Sequence, residues 1–223
     1  MTGASVAPSS PLANLLDTVM TSLTVLPSFE RCDVLAALVF MGEETGTLSR
    51  TTLMRDLGLK EGPTKTLLRR LEQNKLVVRV GNKGHILTDK GRQWNHRIRE
   101  QIVDHKEVLA PGISLAESAY GMQLRNAATH VESGIEQRDR ALLAGAIGAT
   151  TLIFEEGALR VPSVSDKVVD KKTLKGLLSE FKLQEGDILI VGVGNTPADA
   201  QRGAFNAALS LLLRLNLKSV PTD

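Results

Sequence analysis

The sequence predicts a mixed α/β protein of two domains, and three observations carry that reading. The 223 residues are 42% hydrophobic and 23% charged, which supplies real cores over a length suited to one large or two small domains. Apolar positions recur at helical spacing up to about residue 71, while strand-like runs follow from residue 77 onward. Charge is segregated along the chain. Residues 28–99 hold 14 Lys and Arg against 8 Asp and Glu, residues 100–223 hold 13 against 16, and residues 60–99 alone hold 11 against 3. A concentrated basic segment beside an acidic half is the footprint of nucleic-acid binding joined to a second task; a solvated basic face is the plainer alternative.

Composition removes several classes. A single cysteine, Cys32, excludes an internal disulfide framework and any multi-cysteine zinc or iron–sulfur site. The histidines at 85, 96, 105 and 130 lack metal-ligand spacing, so no metal and no cofactor are expected. No apolar run approaches the ~18 residues that span a bilayer. The first 28 residues carry no Lys or Arg, and Asp17 interrupts the only apolar stretch there, so a secretory signal is not expected and the reading is cytoplasmic, with no membrane partner. No Ser/His/Asp elbow, Cys/His pair or carboxylate pair stands at motif spacing, which points away from an enzyme.

Residues 1–11 are small, polar and Pro-containing, and read as a disordered tail. The first domain is expected over 12–105. Leu12, Leu15, Leu16, Val19, Leu23 and Leu26 predict a helix with Ser10 as cap, Pro11 at its first position and Pro27 ending it; it either packs on its own domain or serves as a dimer element. Phe29, Cys32, Leu35, Ala36, Val39 and Phe40 form a second stripe, on which Cys32 is a buried, inert thiol. Ser49 caps a short helix that carries Leu53 and Leu57 and stops at Gly58. A helix over about 62–74 follows, with Pro63 near its start and Leu67, Leu68 and Leu71 on one face. Two strands, 77–80 and 85–88, are joined by Gly81-Asn82-Lys83-Gly84, a sequence suited to a tight hairpin. Thr88 caps a last helix that reads to about residue 105.

Helix, helix, turn, helix, hairpin, helix is the order of a winged helix-turn-helix. The stretch LSRTTLMRDLGLKEGPTKTLLRRLEQNKLVVRVGNKGHILTDKGR resembles winged-helix transcriptional regulators, especially LEQNKLV running into a wing that closes on Leu87-Thr88 and Gly91. The whole chain is also similar to an archaeal group of regulators that couple such a domain to a C-terminal domain of unknown function. The resemblance implies a DNA-binding transcriptional regulator, with the 62–74 helix in the major groove and the wing, about 77–88, on backbone or minor groove. Candidate DNA contacts are Ser49, Arg50, Thr64, Lys65, Thr66, Arg69 and Arg70 on the helices, with Arg79, Asn82, Lys83 and His85 on the hairpin. Arg and Lys reach guanine edges or phosphates. Asp56 is an alternative partner for Arg70.

The second domain is expected over 112–218, after a boundary marked by Pro111 and Gly112, as an α+β effector or dimerisation domain. Its predicted elements are a strand over 118–131 on which Tyr120, Met122 and Leu124 alternate, a helix over 133–149, a hairpin over 150–162 turning at Glu156-Gly157, a helix over 170–181, a buried strand over 187–194 and a long helix over 195–216. Gly192, Gly194, Asn195 and Thr196 form a glycine-bearing strand-to-helix turn whose free N–H groups suit an anion. It is not GxGxxG and has no P-loop lysine; a plain turn with a capping box is the other reading. Arg138 and Arg140 are a second candidate for an anionic effector, against the plainer reading of solvated surface charge. The expected partners are double-stranded DNA, a small-molecule or anionic effector, and a second copy in a homodimer. The alternative is a protein-interaction module that uses the winged helix as a docking domain.

Overall fold

The computed structural model describes residues 10–21, 27–113, 117–162 and 171–215. Among these residues there are eight α-helices and two sheets. Helix α1 (Pro11–Met20) begins where Ser10 Oγ accepts the Ala13 N–H at 3.1 Å, which satisfies one of the donors that every helix start leaves open. Its predicted stretch over 22–26 lies outside the described residues. Leu12, Leu15, Leu16 and Val19 are buried against α2 (Arg31–Glu43). Helix α1 thus packs on its own chain.

Sequence spacing gave α2 one apolar stripe, whereas its residues from Cys32 to Val39 are all buried. A helix enclosed on every side is a core element rather than a surface one. Neighbours α1, α3 (Arg50–Leu57), α5 (Asp89–Gln101) and α8 (Pro197–Leu212) surround it. Ser49 Oγ accepts the Thr52 N–H at 3.0 Å to open α3, and Gly58 closes it in the left-handed region at φ 63°. Helix α4 (Glu61–Gln73) then buries Leu67, Leu68 and Leu71, and the antiparallel hairpin β1 (Val77–Val80) and β2 (Gly84–Leu87) follows. Thr88 Oγ1 accepts the Gly91 N–H at 3.1 Å at the start of α5.

Helix α5 does not continue to residue 105. It ends at Gln101, and Ile102–Glu107 form β3. Ile102 opposes Leu124 and His105 opposes Met122 on β4 (Ser118–Leu124); this tertiary pairing overrides the helical reading of a short charged segment. Strand β3 is one edge of a five-stranded antiparallel sheet in the order β3-β4-β7-β5-β6, with β5 at Gly148–Glu155, β6 at Ala158–Arg160 and β7 at Ile188–Gly194. Glu156 and Gly157, at φ 53° and 74°, make the β5–β6 turn, the positive-φ pair that such hairpins need. Helix α6 is Ile135–Leu143, shorter than its predicted span, because Gly145 at φ 88° turns the chain out of the helix and Gly148 then pairs with Val193 as the first residue of β5.

Central β7 is buried along its whole length. Ile188 and Ile190 face the core shared with α8, while Leu189, Val191 and Val193 face the core of α7 (Lys171–Glu180). Cover on both faces explains a continuous apolar run in a strand whose neighbours are antiparallel. The core on the α8 side runs without a break from Leu12 of α1 to Leu215. Helix α8 is the bridge, packing on β4, β5 and β7 and also on α2 and α3. Across this contact Arg202 pairs with Asp33 at 2.9 Å and with Glu30 at 3.7 Å, and Gln201 donates to the Asp56 carbonyl. At the last residue of α2, Glu43 pairs with Arg99 at 2.6 Å and with His105 at 2.9 Å, and His105 also meets the Tyr120 hydroxyl at 2.7 Å.

Candidate nucleic-acid interface

The start of α3, the outer face of α4 and the hairpin enclose a cleft of about 630 Å³. Its walls carry five cationic side chains, Arg50, Lys65, Arg69, Arg79 and Lys83, and one carboxylate, Glu72. Local chemistry fixes the frame. Leu48 exchanges two backbone hydrogen bonds with His85, each of 2.9 Å, which ties the segment before α3 to the hairpin. His85 Nε2 lies 3.1 Å from Glu72 Oε1, clasping the hairpin to the last turn of α4. Arg79 donates to the Gly81 carbonyl at 2.9 Å, and Thr47 Oγ1 donates to the Lys83 carbonyl at 3.2 Å.

Electrostatics leave this cleft strongly positive. Arg50 is partly offset by Glu61 at 3.2 Å, and both side chains are exposed, so that pair contributes little. Lys65, Arg69 and Lys83 have no ion-pair partner among the described residues. Five cations around one carboxylate, open to solvent, form a surface complementary to a polyanion.

Nine of the eleven predicted contacts line the cleft: Ser49, Arg50, Lys65, Thr66, Arg69, Arg79, Asn82, Lys83 and His85. Two do not. Thr64 is fully buried and its hydroxyl donates to the Lys60 carbonyl at 2.9 Å, so it cannot reach a base. Its spacing to Leu67, Leu68 and Leu71 already placed it on the apolar face, where a threonine satisfies itself by bonding back one turn. Arg70 turns away from the cleft and donates to the Thr21 carbonyl at the end of α1, not to Asp56, which pairs with Arg55 at 2.8 Å. Sequence reading missed Thr51 and Glu72, which also line the cleft. Glu72 follows Arg69 by three residues and Lys65 by seven, the helical spacing that could have found it.

In the second half Gly192, Gly194 and Thr196 take the plain capped-turn arrangement that the sequence also allows. A Cβ on Gly192 would lie 2.3 Å from the Ala200 carbonyl oxygen, and one on Gly194 would lie 2.5 Å from the Ala200 nitrogen. Their missing side chains are taken up by the close approach of α8 to β7. Thr196 Oγ1 accepts the Asp199 N–H at 3.2 Å and donates to the Asp199 carboxylate at 2.8 Å, so the helix start holds its own anion. Asn195 is exposed beside it. Arg138 and Arg140 are exposed on α6; Arg138 pairs with adjacent Asp139 at 3.3 Å, and the Arg140 carbonyl accepts from Asn206 at 2.9 Å.

Cys32 is buried, and that burial, with Asp33 beside it, pushes its thiol well above the ordinary range; it is unreactive. Among the described residues no group of three or more His, Cys, Asp or Glu could hold a metal, and no helix is long and apolar enough to cross a membrane.

Residues 115–211 match the family described as Domain of unknown function (DUF4443). A solved structure called "Hypothetical protein PH0730 from Pyrococcus horikoshii OT3" is similar over 84% of this chain and 95% of its own, with 25% sequence identity and a TM-score of 0.70. No curated protein matches the chain. The structural likeness extends well beyond the matched family segment, so it takes in part of the helical half as well.

Proposed function

We propose that residues 31–101 form a winged helix that binds double-stranded DNA, and that the chain is a transcriptional regulator. Helix α4 enters the major groove with Lys65 and Arg69 foremost, and the β1–β2 hairpin is the wing that lays Arg79 and Lys83 on the phosphates. The observation that carries this reading is the cleft itself, where five cations from two helices and a hairpin surround a single carboxylate. Ser49, Arg50 and Thr51 add the start of α3, whose free N–H groups suit a phosphate. The antiparallel sheet with α6, α7 and α8 is then the effector or assembly half, joined to the reader through α8.

Fluorescence anisotropy against a pool of genomic fragments tests the reading, with Lys65→Ala/Arg69→Ala beside the wild type. Neutralising about five phosphates gives an affinity that falls by roughly 10²–10³ between 50 and 200 mM salt. Tight binding to a subset of fragments, lost in the double variant, supports a sequence-specific regulator. Weak binding that is equal in both proteins overturns the assignment. It would favour protein docking, for which the far side of the hairpin offers a second groove of about 540 Å³ with Val80 and Ile86 in its wall.

A further inference from the structure

Of the six large apolar side chains that the described residues leave exposed, four lie on or just beyond α6. Ile135 is 56% exposed, Leu142 46%, Leu143 76% and Ile147 44%. Ile135 and Leu142 are two turns apart on one face of the helix, and the opposite face, Gln137 and Ala141, is buried against the rest of the molecule. Scattered single apolar residues need no explanation, but four within thirteen positions do. Together they present a few hundred Å² of apolar surface, the scale at which a patch marks an interaction site.

We infer that α6 is the face by which two copies of this chain pair. Charge balance and the make-up of the patch select a second copy over another partner. The charged residues among and beside the apolar ones are balanced, Glu132, Glu136 and Asp139 against Arg138, Arg140 and Arg214, so the face carries no net charge and can meet its own image without repulsion. Area agrees. A stable pair buries roughly 800 Å² per copy with an apolar centre and a polar rim. The patch supplies such a centre, within which Arg138 and Asp139 already pair with each other, and the Glu136–Arg214 ion pair supplies rim. None of the cleft-lining residues belongs to α6. Because α8 packs against both α6 and α2, pairing through α6 leaves each helical half on the flank of its own α8.

The inference does not depend on the DNA reading, and its test uses no DNA. Sedimentation equilibrium of the full chain is expected to give a dimer. Leu143→Glu, at a position already 76% exposed, is expected to raise the dissociation constant by at least about a hundredfold while leaving the thermal melt of the dilute monomer unchanged. Leu109→Glu, at the other strongly exposed leucine, is expected to leave it within about threefold. A wild-type chain that stays monomeric at about 100 μM, or a dimer indifferent to Leu143→Glu, overturns the inference. Loss of DNA binding in the anisotropy experiment is a separate readout and leaves this one standing.

Discussion

Arg202 of α8 meets Asp33 of α2 at 2.9 Å across the seam between the helical half and the sheet, with the aspartate side chain only 3% exposed. Burial raises the Asp33 carboxyl above its ordinary value, and the backbone N–H of Glu30 together with Arg202 works against that rise. The Glu30 N–H, which donates to the carboxylate at 2.7 Å, and the guanidinium together make a buried carboxylate tolerable at this position. Arg202→Met is expected to destabilise the chain by about 3 kcal/mol, because it removes the counter-charge and leaves the buried carboxylate with only the Glu30 N–H. Asp33→Asn in the same background is expected to recover part of the loss. Urea denaturation of the three variants measures both steps, and simple additivity of the two single changes would contradict the pairing.

Acid should loosen the other end of the seam. Burial pulls the Glu43 carboxyl up, yet the hydrogen bond from His105 and the charges of His105 and Arg99 outweigh it and hold the group below its ordinary 4.5. A carboxyl depressed in the folded state stabilises fully above its unfolded value and loses that contribution as pH falls through the folded one. Stability should accordingly decline from about pH 4.5 downward. Glu43→Gln should be less stable near neutrality and show a flatter acid limb. Thermal melts of both proteins from pH 3 to pH 7 test this.

Within the cleft, burial divides two neighbouring residues into different roles. Lys65→Ala should weaken DNA binding across all sequences and reduce the salt slope by about 1 if it contacts phosphate, or relax one base preference if it reads an edge. Thr64→Val should leave affinity unchanged within about twofold and shift stability by about 1 kcal/mol or less, since its only task is a bond to the Lys60 carbonyl. Anisotropy and urea titration on both variants separate the outcomes.

Gly192 tests the packing of α8 on β7. With the Ala200 carbonyl oxygen 2.3 Å from the position of an added Cβ, Gly192→Ala is expected to cost about 2–4 kcal/mol or to prevent folding. Gly176→Ala is the control: it sits inside α7 with open space around it, and alanine there should stabilise by about 0.5–1 kcal/mol. Equal behaviour of the two variants would remove the packing explanation.

Local signals carried most of the elements and most of the cleft. Caps at Ser10, Ser49, Thr88 and Thr196 and the Glu156-Gly157 turn were readable because each is decided within four residues. Lys65, Arg69, Arg79 and Lys83 were readable because charge and helical or strand spacing placed them opposite the leucines. What escaped was set by distant partners. Ile102–Glu107 became a strand only because β4 lies beside it. Cys32–Val39 became enclosed only because α8 returns from more than 150 residues away. Gly192 and Gly194 resemble a ligand loop in one dimension, and only the position of α8 shows them filled from inside.

Helix α8 has a consequence for how this chain can be dismantled. One flank seals the sheet and the other seals α2 and α3, while Gln101 passes into Ile102 with no spacer residue. A cut there would strip cover from both pieces at once, and neither would be a portable cassette. A chimera that imports a different helical half must keep Asp33 and the α2 surface around it, or redesign α8 to match. The helical half and the sheet have to change as a matched pair.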